Sequence, residues 1–276
     1  MSIQVSLIIS TYGRYDEVEL LLESLKKQDC GFDIFEAIII DQNDVIDLTP
    51  LVNKYENKFN LIHYKADFKG LSKSKNKGID MAKGQILTFP DDDCTFYDDT
   101  ISKALQFFAV NPDAEVVYGS VFDRITNKNV MRNWSKESKK LNIYNFSLRY
   151  SAITCFTKMK TKFDENLGVG SKISSGEELD YIIRVLESKE VYYFPHIQVW
   201  HPELSVSTMS NEKIRNYAYG YGYAMRKNLN FGVLIIFLFS LSYRIAMLLL
   251  KLFSKERLQN YLAVKGRFEG FLKMEY

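Results

Sequence analysis

The segment Phe89-Pro90-Asp91-Asp92-Asp93-Cys94 sets three adjacent carboxylates directly after Gln85-Ile86-Leu87-Thr88-Phe89, an apolar run that reads as a buried strand. Two unit charges about 4 Å apart repel by roughly 4 kcal/mol at an effective dielectric of about 20, so such a cluster stays ionised in open water or around a cation. On an extended chain, Asp91 and Asp93 face one way and Asp92 the other. An Asp-x-Asp pair of hard oxygen ligands suits Mg²⁺ or Mn²⁺, ions that keep open positions for the oxygens of a substrate diphosphate. A solvated acidic turn is the plain alternative.

Two further segments carry chemistry. In Lys69-Gly70-Leu71-Ser72-Lys73-Ser74-Lys75-Asn76-Lys77-Gly78, a glycine leads into a helix whose free N–H groups and cationic neighbours suit a nucleotide diphosphate, although a solvated basic face explains the same run. In Ser174-Ser175-Gly176-Glu177-Glu178-Leu179-Asp180-Tyr181-Ile182-Ile183-Arg184, three acids open a helix. At 100° per residue, Glu178 and Asp180 flank the buried stripe of Leu179, Ile182, Ile183 and Leu186 on opposite sides, and Glu177 points outward. Ser175-x-x-Glu178 also reads as a capping box.

The elements that must position these groups follow from periodicity. Strands are expected at Val5 to Ile9, Phe35 to Ile40, Leu61 to Tyr64, Gln85 to Phe89 and Val116 to Phe122, with helices at about Leu71 to Ala82 and Thr100 to Asn111. Tyr15, Val18, Leu21, Leu22 and Leu25 recur at helical spacing between the first two strands, so the chain opens with a βαβ unit. The expected class is α/β, with a mostly parallel sheet covered on both faces and a hairpin or loose connection between Asp123 and Lys140. Ligands of such sheets gather at the carboxyl ends of strands, where Ser10-Thr11-Tyr12-Gly13-Arg14, Asp41-Gln42-Asn43-Asp44 and the Asp cluster fall. Neither G-x-G-x-x-G nor G-x-x-x-x-G-K-[ST] occurs, which argues against a dinucleotide or P-loop enzyme.

Across 276 residues the formal net charge is only +2, so nucleic acid is not an expected partner. Three widely spaced cysteines, Cys30, Cys94 and Cys155, argue against a disulfide framework and a zinc site. With no basic and apolar leader at Met1-Ser2-Ile3-Gln4, the expected location is cytoplasmic.

Taken in order, Ser10-Thr11-Tyr12-x-Arg14, Asp41-Gln42-Asn43, Gly70-Leu71-Ser72-x-Ser74-Lys75-Asn76-x-Gly78, Phe89-Pro90-Asp91-Asp92-Asp93-Cys94 and Gly176-Glu177-Glu178-x-Asp180 resemble the motifs of family 2 glycosyltransferases over roughly residues 3 to 203. That family's bacterial polysaccharide-assembly members are inverting enzymes of GT-A fold. The resemblance implies that Thr11, Arg14 and Asp41 hold the base and ribose of a nucleotide sugar, with Asp41 accepting from uracil. Lys75 and Asn76 would flank the nucleotide, Asp91 the ribose or sugar, and Tyr12, Gly70, Ser72 and Asp92 would complete that set. Asp93 would hold Mn²⁺ or Mg²⁺, with Asp91 and His201, from Val199-Trp200-His201-Pro202, as further ligands. Glu178 takes the place of the catalytic base, shared if need be with Asp180 or Glu177, because the family usually has the shorter Asp there. Lys75 stands where arginine is usual and brings a point charge in place of a fork.

The domains implied are a GT-A catalytic domain over 1–205, with a nucleotide-binding half (1–95) and an acceptor half (96–205), and a helical membrane- or dimer-associated region over 206–276. In the latter, Phe231 to Tyr243 is an uncharged run interrupted by Arg244. It is short against the roughly 20 apolar residues that cross a bilayer, so an interfacial helix, with Arg244, Lys251, Lys255 and Arg257 near anionic lipid, is the expectation. The expected function is hexosyl transfer from a nucleotide sugar, a UDP-sugar by preference, to a glycan or polyprenyl-linked acceptor at the cytoplasmic membrane face. A homodimer through the tail is a further expectation. A catalytically silent sugar-nucleotide-binding subunit and a nucleotidyltransferase are the alternatives.

Overall fold

The computed structural model describes residues 3–187, 190–202 and 209–272. The chain divides into two compact units, one of Met1–Lys69, Lys73–Lys162 and Ser188–Leu204 and a second of Gly70–Ser72, Phe163–Glu187 and Ser205–Tyr276. Where the sequence suggests one boundary near 205, residues 163–187 group with the C-terminal helices.

The first unit is the expected α/β layer structure. Strand β1 (Val5–Thr11) pairs parallel with β2 (Phe35–Asp41), which pairs parallel with β3 (Asn60–Lys65). On the other side, β1 pairs parallel with β4 (Ile86–Thr88). Strands β6 (Val116–Asp123) and β10 (Val191–Trp200) also run parallel, and β9 (Cys155–Thr157) joins the two halves by antiparallel pairing to β4 and β6. Antiparallel pairings are confined to two or three residues each, including β5 (Thr95–Phe96), β7 (Lys128–Asn129) and β8 (Lys139–Lys140). The polar stretch after Asp123 thus forms a short hairpin.

β1 and β2 are buried along almost their whole length, which is why they read as continuous apolar runs. Helix α1 (Asp16–Leu25) lays Val18, Leu21, Leu22 and Leu25 on this core, all fully buried. Each such side chain contributes about 1.5–3 kcal/mol. Helix α2 (Thr49–Tyr55) is an addition to the expected elements; its Pro50 is in the first turn, where the missing N–H costs nothing. Helices α3 (Leu71–Met81) and α4 (Thr100–Val110) fall where periodicity places them.

The second unit contains α5 (Glu177–Leu186), α6 (Asn211–Lys227), α7 (Phe231–Leu250) and α8 (Arg257–Leu272). Side chains of Ser210 and Asn230 cap α6 and α7 by accepting from the Lys213 and Val233 N–H groups. The alternating Tyr-Gly-Tyr-Gly-Tyr of α6 acquires a reason: Gly222 lies against the Arg267 carbonyl of α8, and Gly266 and Gly270 of α8 lie against α6. Small residues four apart on both helices let the backbones touch.

A Cβ on Gly270 would lie 2.0 Å from the Tyr219 carbonyl oxygen. Gly270→Ala is therefore expected to destabilise the full chain by about 1–3 kcal/mol through overpacking, although alanine is the better helix former. Urea unfolding decides it, since an unchanged or higher midpoint would mean that the two helices do not pack through this face.

Candidate active site

Strand register assembles the site. Thr11 lies opposite Asp41, and Asp41 opposite Lys65, so the ends of β1, β2 and β3 present one row. Asp91 follows β4 and makes an isolated parallel bridge with Ser10. Two residues beyond Asp93, β5 begins, and its Thr95 pairs with Trp200, the neighbour of His201. The acid cluster is thereby pinned at both ends, to β1 on one side and to β10 on the other.

Between these pins the chain turns, with the Cys94 N–H donating to the Asp91 carbonyl, and Cys94 is fully buried. The extended alternation expected from the sequence does not hold here. Asp91, Asp93 and His201 nevertheless converge, with one ligand atom from each lying within 4.8 Å of the others. Asp92 joins Asp93 against Arg14, whose Nε is 3.3 Å from Asp92 and whose Nη1 is 2.5 Å from Asp93.

The charges respond to this crowding. Burial would raise the Asp93 pKa, but the hydrogen bonds and charges of His201 and Arg14 draw it down to about 2. For Asp92 burial wins over Arg14 and the pKa rises. His201 is nearly enclosed, with Nε2 3.2 Å from Asp93 and Nδ1 2.7 Å from the Pro202 carbonyl. With Nδ1 as the donor to that carbonyl, the Nε2 lone pair faces the carboxylates, and a proton or a divalent ion fits there equally. Two hard oxygens and an imidazole nitrogen suit Mn²⁺ or Mg²⁺ as a donor set.

Asp41 is buried and fully engaged. One carboxylate oxygen accepts from the Asn43 N–H and side-chain amide, both at 2.8 Å, and the other is 3.0 Å from both His63 and Lys65. Burial pushes its pKa up, and these partners bring it below the ordinary value. His63 and Lys65 were missed in the sequence because only the β2–β3 register brings them to Asp41. Asn43 also accepts from the Gly13 N–H, tying the first two loops together. Lys69 was likewise missed; it pairs with Asp44 at 2.8 Å and lies 4.6 Å from the ring centre of exposed Tyr12.

The basic helix is not a solvated face. Lys75 and Asn76 are buried, as is Ser72, whose hydroxyl donates to the Leu167 carbonyl at 2.6 Å. Gly70, at φ +125°, precedes the helix in a conformation that favours glycine.

In the second unit the helical wheel needs correction. Glu177 is buried, not outward-facing: it packs beside Gly168, within the same cluster as Ser72. Asp180, offered as an alternative base, is fully buried and held by Arg184 at 2.9 Å, Lys227 at 2.9 Å and the Asn228 amide at 2.9 Å. Three donors hold that one carboxylate in place. Leu186 is only half-buried, and Tyr181 and Val185 complete the apolar face. The capping box does not form. Gly176 caps the helix at φ +94°, and the Ser175 hydroxyl donates to the Asn216 carbonyl. Glu178 is half-buried at the first turn.

Comparison with known proteins places this arrangement. The sequence profile described as glycosyl transferase family 2 matches residues 6–168. A PGL/p-HBAD biosynthesis glycosyltransferase of Mycobacterium tuberculosis is 29% identical over 126 residues, 44% of this chain and 48% of the relative. TarS of Staphylococcus aureus, a poly(ribitol-phosphate) beta-N-acetylglucosaminyltransferase, is 31% identical over 104 residues, 37% of this chain and 18% of TarS. The matched stretches thus span about half or less of these relatives. The crystal structure of TarS 1–349 in complex with UDP-GlcNAc superposes with a TM-score of 0.70 at 20% identity, covering 98% of this chain and 82% of that one. The mannosyltransferase PcManGT of Pyrobaculum calidifontis, in complex with GDP-Man and Mn²⁺, gives 0.64 at 13% identity, covering 98% and 87%. These structures show the shared GT-A fold.

The Asp93–His201 contact has a pH signature. Burial would lower the His201 pKa, but Asp93, the Pro202 carbonyl and the charge of Asp91 raise it above 6.5. Its stabilising effect is therefore fully present below about pH 6.5 and is lost as pH rises through the raised folded value. In Asp93→Asn, burial is left with less opposition, so the imidazole pKa should fall, read by NMR titration of the His201 ring. Equal values in both proteins would show that Asp93 does not hold the proton.

Proposed function

We propose that this chain, which belongs to glycosyl transferase family 2, moves a hexosyl residue from a UDP-sugar to a glycan or lipid-linked acceptor with inversion at the anomeric carbon. The observation that carries the reading is the convergence of Asp91, Asp93 and His201 Nε2 at the carboxyl end of the sheet, with the imidazole oriented by Pro202. Asp91, Asp93 and His201 would hold the ion. A divalent ion bound there supplies Lewis-acid stabilisation for the departing diphosphate.

The remaining steps belong to the chain's own groups. Tyr12, the Asp41 loop and Lys69 beside them accommodate the base and ribose, and Arg14 adds positive charge at the acid cluster. Glu178 accepts the acceptor hydroxyl's proton while that oxygen bonds to the anomeric carbon and the bond to the diphosphate breaks. One displacement suffices, and no covalent enzyme intermediate forms.

The setting we infer is peripheral, at the cytoplasmic membrane face. Helix α7 has 20 residues, a mean hydropathy of 2.4 over its most apolar window and only 11% of that window buried. At 1.5 Å per residue it is about 30 Å long, enough to lie as an apolar rod in the interface. The unbroken helix through Arg244 is longer than the apolar run alone suggests, and a span is the alternative arrangement.

A panel of nucleotide sugars with and without Mn²⁺ or Mg²⁺ tests the reaction. UDP-sugar turnover should require the ion, and Asp93→Asn should abolish it and weaken UDP binding. Turnover that survives that substitution would remove the acid cluster from the mechanism. Glu178→Gln should keep UDP binding and lose transfer by at least about a hundredfold, the lower range for general-base catalysis. Near-normal transfer by Glu178→Gln, with Glu177→Gln inactive, would move the proton acceptor one residue back.

A further inference from the structure

Helix α8 carries a half-buried cation, Arg267, that no reaction step uses. Its glycine contacts with α6 bring Arg267 against that helix, with the guanidinium carbon 4.5 Å from the ring centre of Tyr221. Among the described residues, the Arg267 Nε is buried without a hydrogen-bond partner, and Nη1 reaches the Ala263 carbonyl at 3.5 Å. Burial and, after it, the Arg244 charge lower its pKa to about 10 against the opposing effect of Tyr221. The Tyr221 phenol, bonded to the Ser240 hydroxyl and raised in pKa by burial, stays a proton donor.

The two arginines belong to one face. Phe237 of α7 stacks on Phe271 of α8 at 4.0 Å, and Ser240 and Arg244 follow Phe237 at helical spacing, as Arg267 precedes Phe271. Residues 211–272 hold ten Lys and Arg against three Glu. Of those acids, Glu269 is taken by Arg215 and Glu256 by Lys251, while Glu212 sits in the first turn of α6. A half-buried guanidinium whose Nε is enclosed beside a second cation gains when an anion joins it.

We propose that Arg267 and Arg244, with the Tyr221 and Ser240 hydroxyls, form a binding site for the terminal monoester phosphate of a membrane lipid. Phosphate offers a guanidinium the strong, geometrically matched acceptors it lacks here. A lipid, in preference to free phosphate, is favoured because the same helices and the turn between them expose Phe239, Leu250, Phe253, Leu258 and Phe268, which a hydrocarbon chain would cover. The site rests on the reading that α7 meets the membrane surface.

The test uses the full chain and sedimentation with vesicles of phosphatidylcholine, alone or with a minor fraction of a long-chain polyprenyl monophosphate. At about 0.3 M salt the screening length is about 6 Å, which suppresses diffuse attraction. Arg267→Gln and Arg244→Gln should each lose about tenfold of the gain due to the lipid phosphate, the lower range for a hydrogen bond to a charged group. Lys255→Gln, on an exposed loop, should lose none. If Arg267→Gln does not fold, half-exposed Arg244 carries the comparison. Equal loss in Lys255→Gln, or none in either arginine variant, would overturn the site. Inorganic phosphate that displaces the protein from the lipid and raises its thermal midpoint as much as the lipid does would overturn the choice of a lipid. A chain that ignores phosphatidylcholine alone but still binds the phosphate lipid would overturn the apolar attachment and leave the site standing.

Discussion

A four-residue turn held at both ends is the constraint on which the candidate site depends. Asp91 is fastened to Ser10 by a bridge, Thr95 is fastened to Trp200 by a strand pair, and Cys94 is sunk in the core between them. Three carboxylates have no room to relax apart, so their mutual repulsion must be met where they stand. Arg14 and His201 are the groups that meet it. The site is thus built around a need for positive charge, and its backbone is fixed by pairings that do not involve that charge.

The same logic explains what was legible in the sequence. Strands β1 and β2, helix α1 and the helices after them were readable because each carries its own period. The Asp-x-Asp pair was readable for a partly mistaken reason, since the chain turns at Asp91 and the two carboxylates meet through the turn and not through strand alternation. His201 could be named only by resemblance. What brings it to Asp93 is β5–β10 pairing between residues more than 100 positions apart, and no local pattern encodes that. Likewise Asp41 gave no sign of His63 or Lys65, which the β2–β3 register delivers.

Helix α5 shows where periodicity misleads. A wheel places Glu177 outward because its own helix supplies no apolar neighbours there, yet the turn around Gly168 folds over it and buries it. Asp180 looked free to act and is instead saturated by Arg184, Lys227 and Asn228, two of them from α6 and its C-cap. Buried acids in a helix's first turn are ambiguous in sequence because a catalytic carboxylate and an anchoring one use the same residue types. Their partners separate them, and the partners come from other elements.

The helical unit obeys a different economy from the sheet. Glycines at 222, 266 and 270 remove side chains from the α6–α8 contact, so the helices approach until backbone meets backbone. That closeness fixes which neighbours of the glycines lie beside the seam, and Arg267, adjacent to Gly266, is one of them. A lysine at that position would have a flexible stem and a compact head, able to reach water more readily; the planar guanidinium instead lies over Tyr221 and leaves Nε facing inward. The tight seam and the unmatched charge are therefore consequences of one another's geometry. A seam that served only to cover apolar helix faces would gain nothing by holding two cations, and the proposed phosphate site rests on that excess of positive charge.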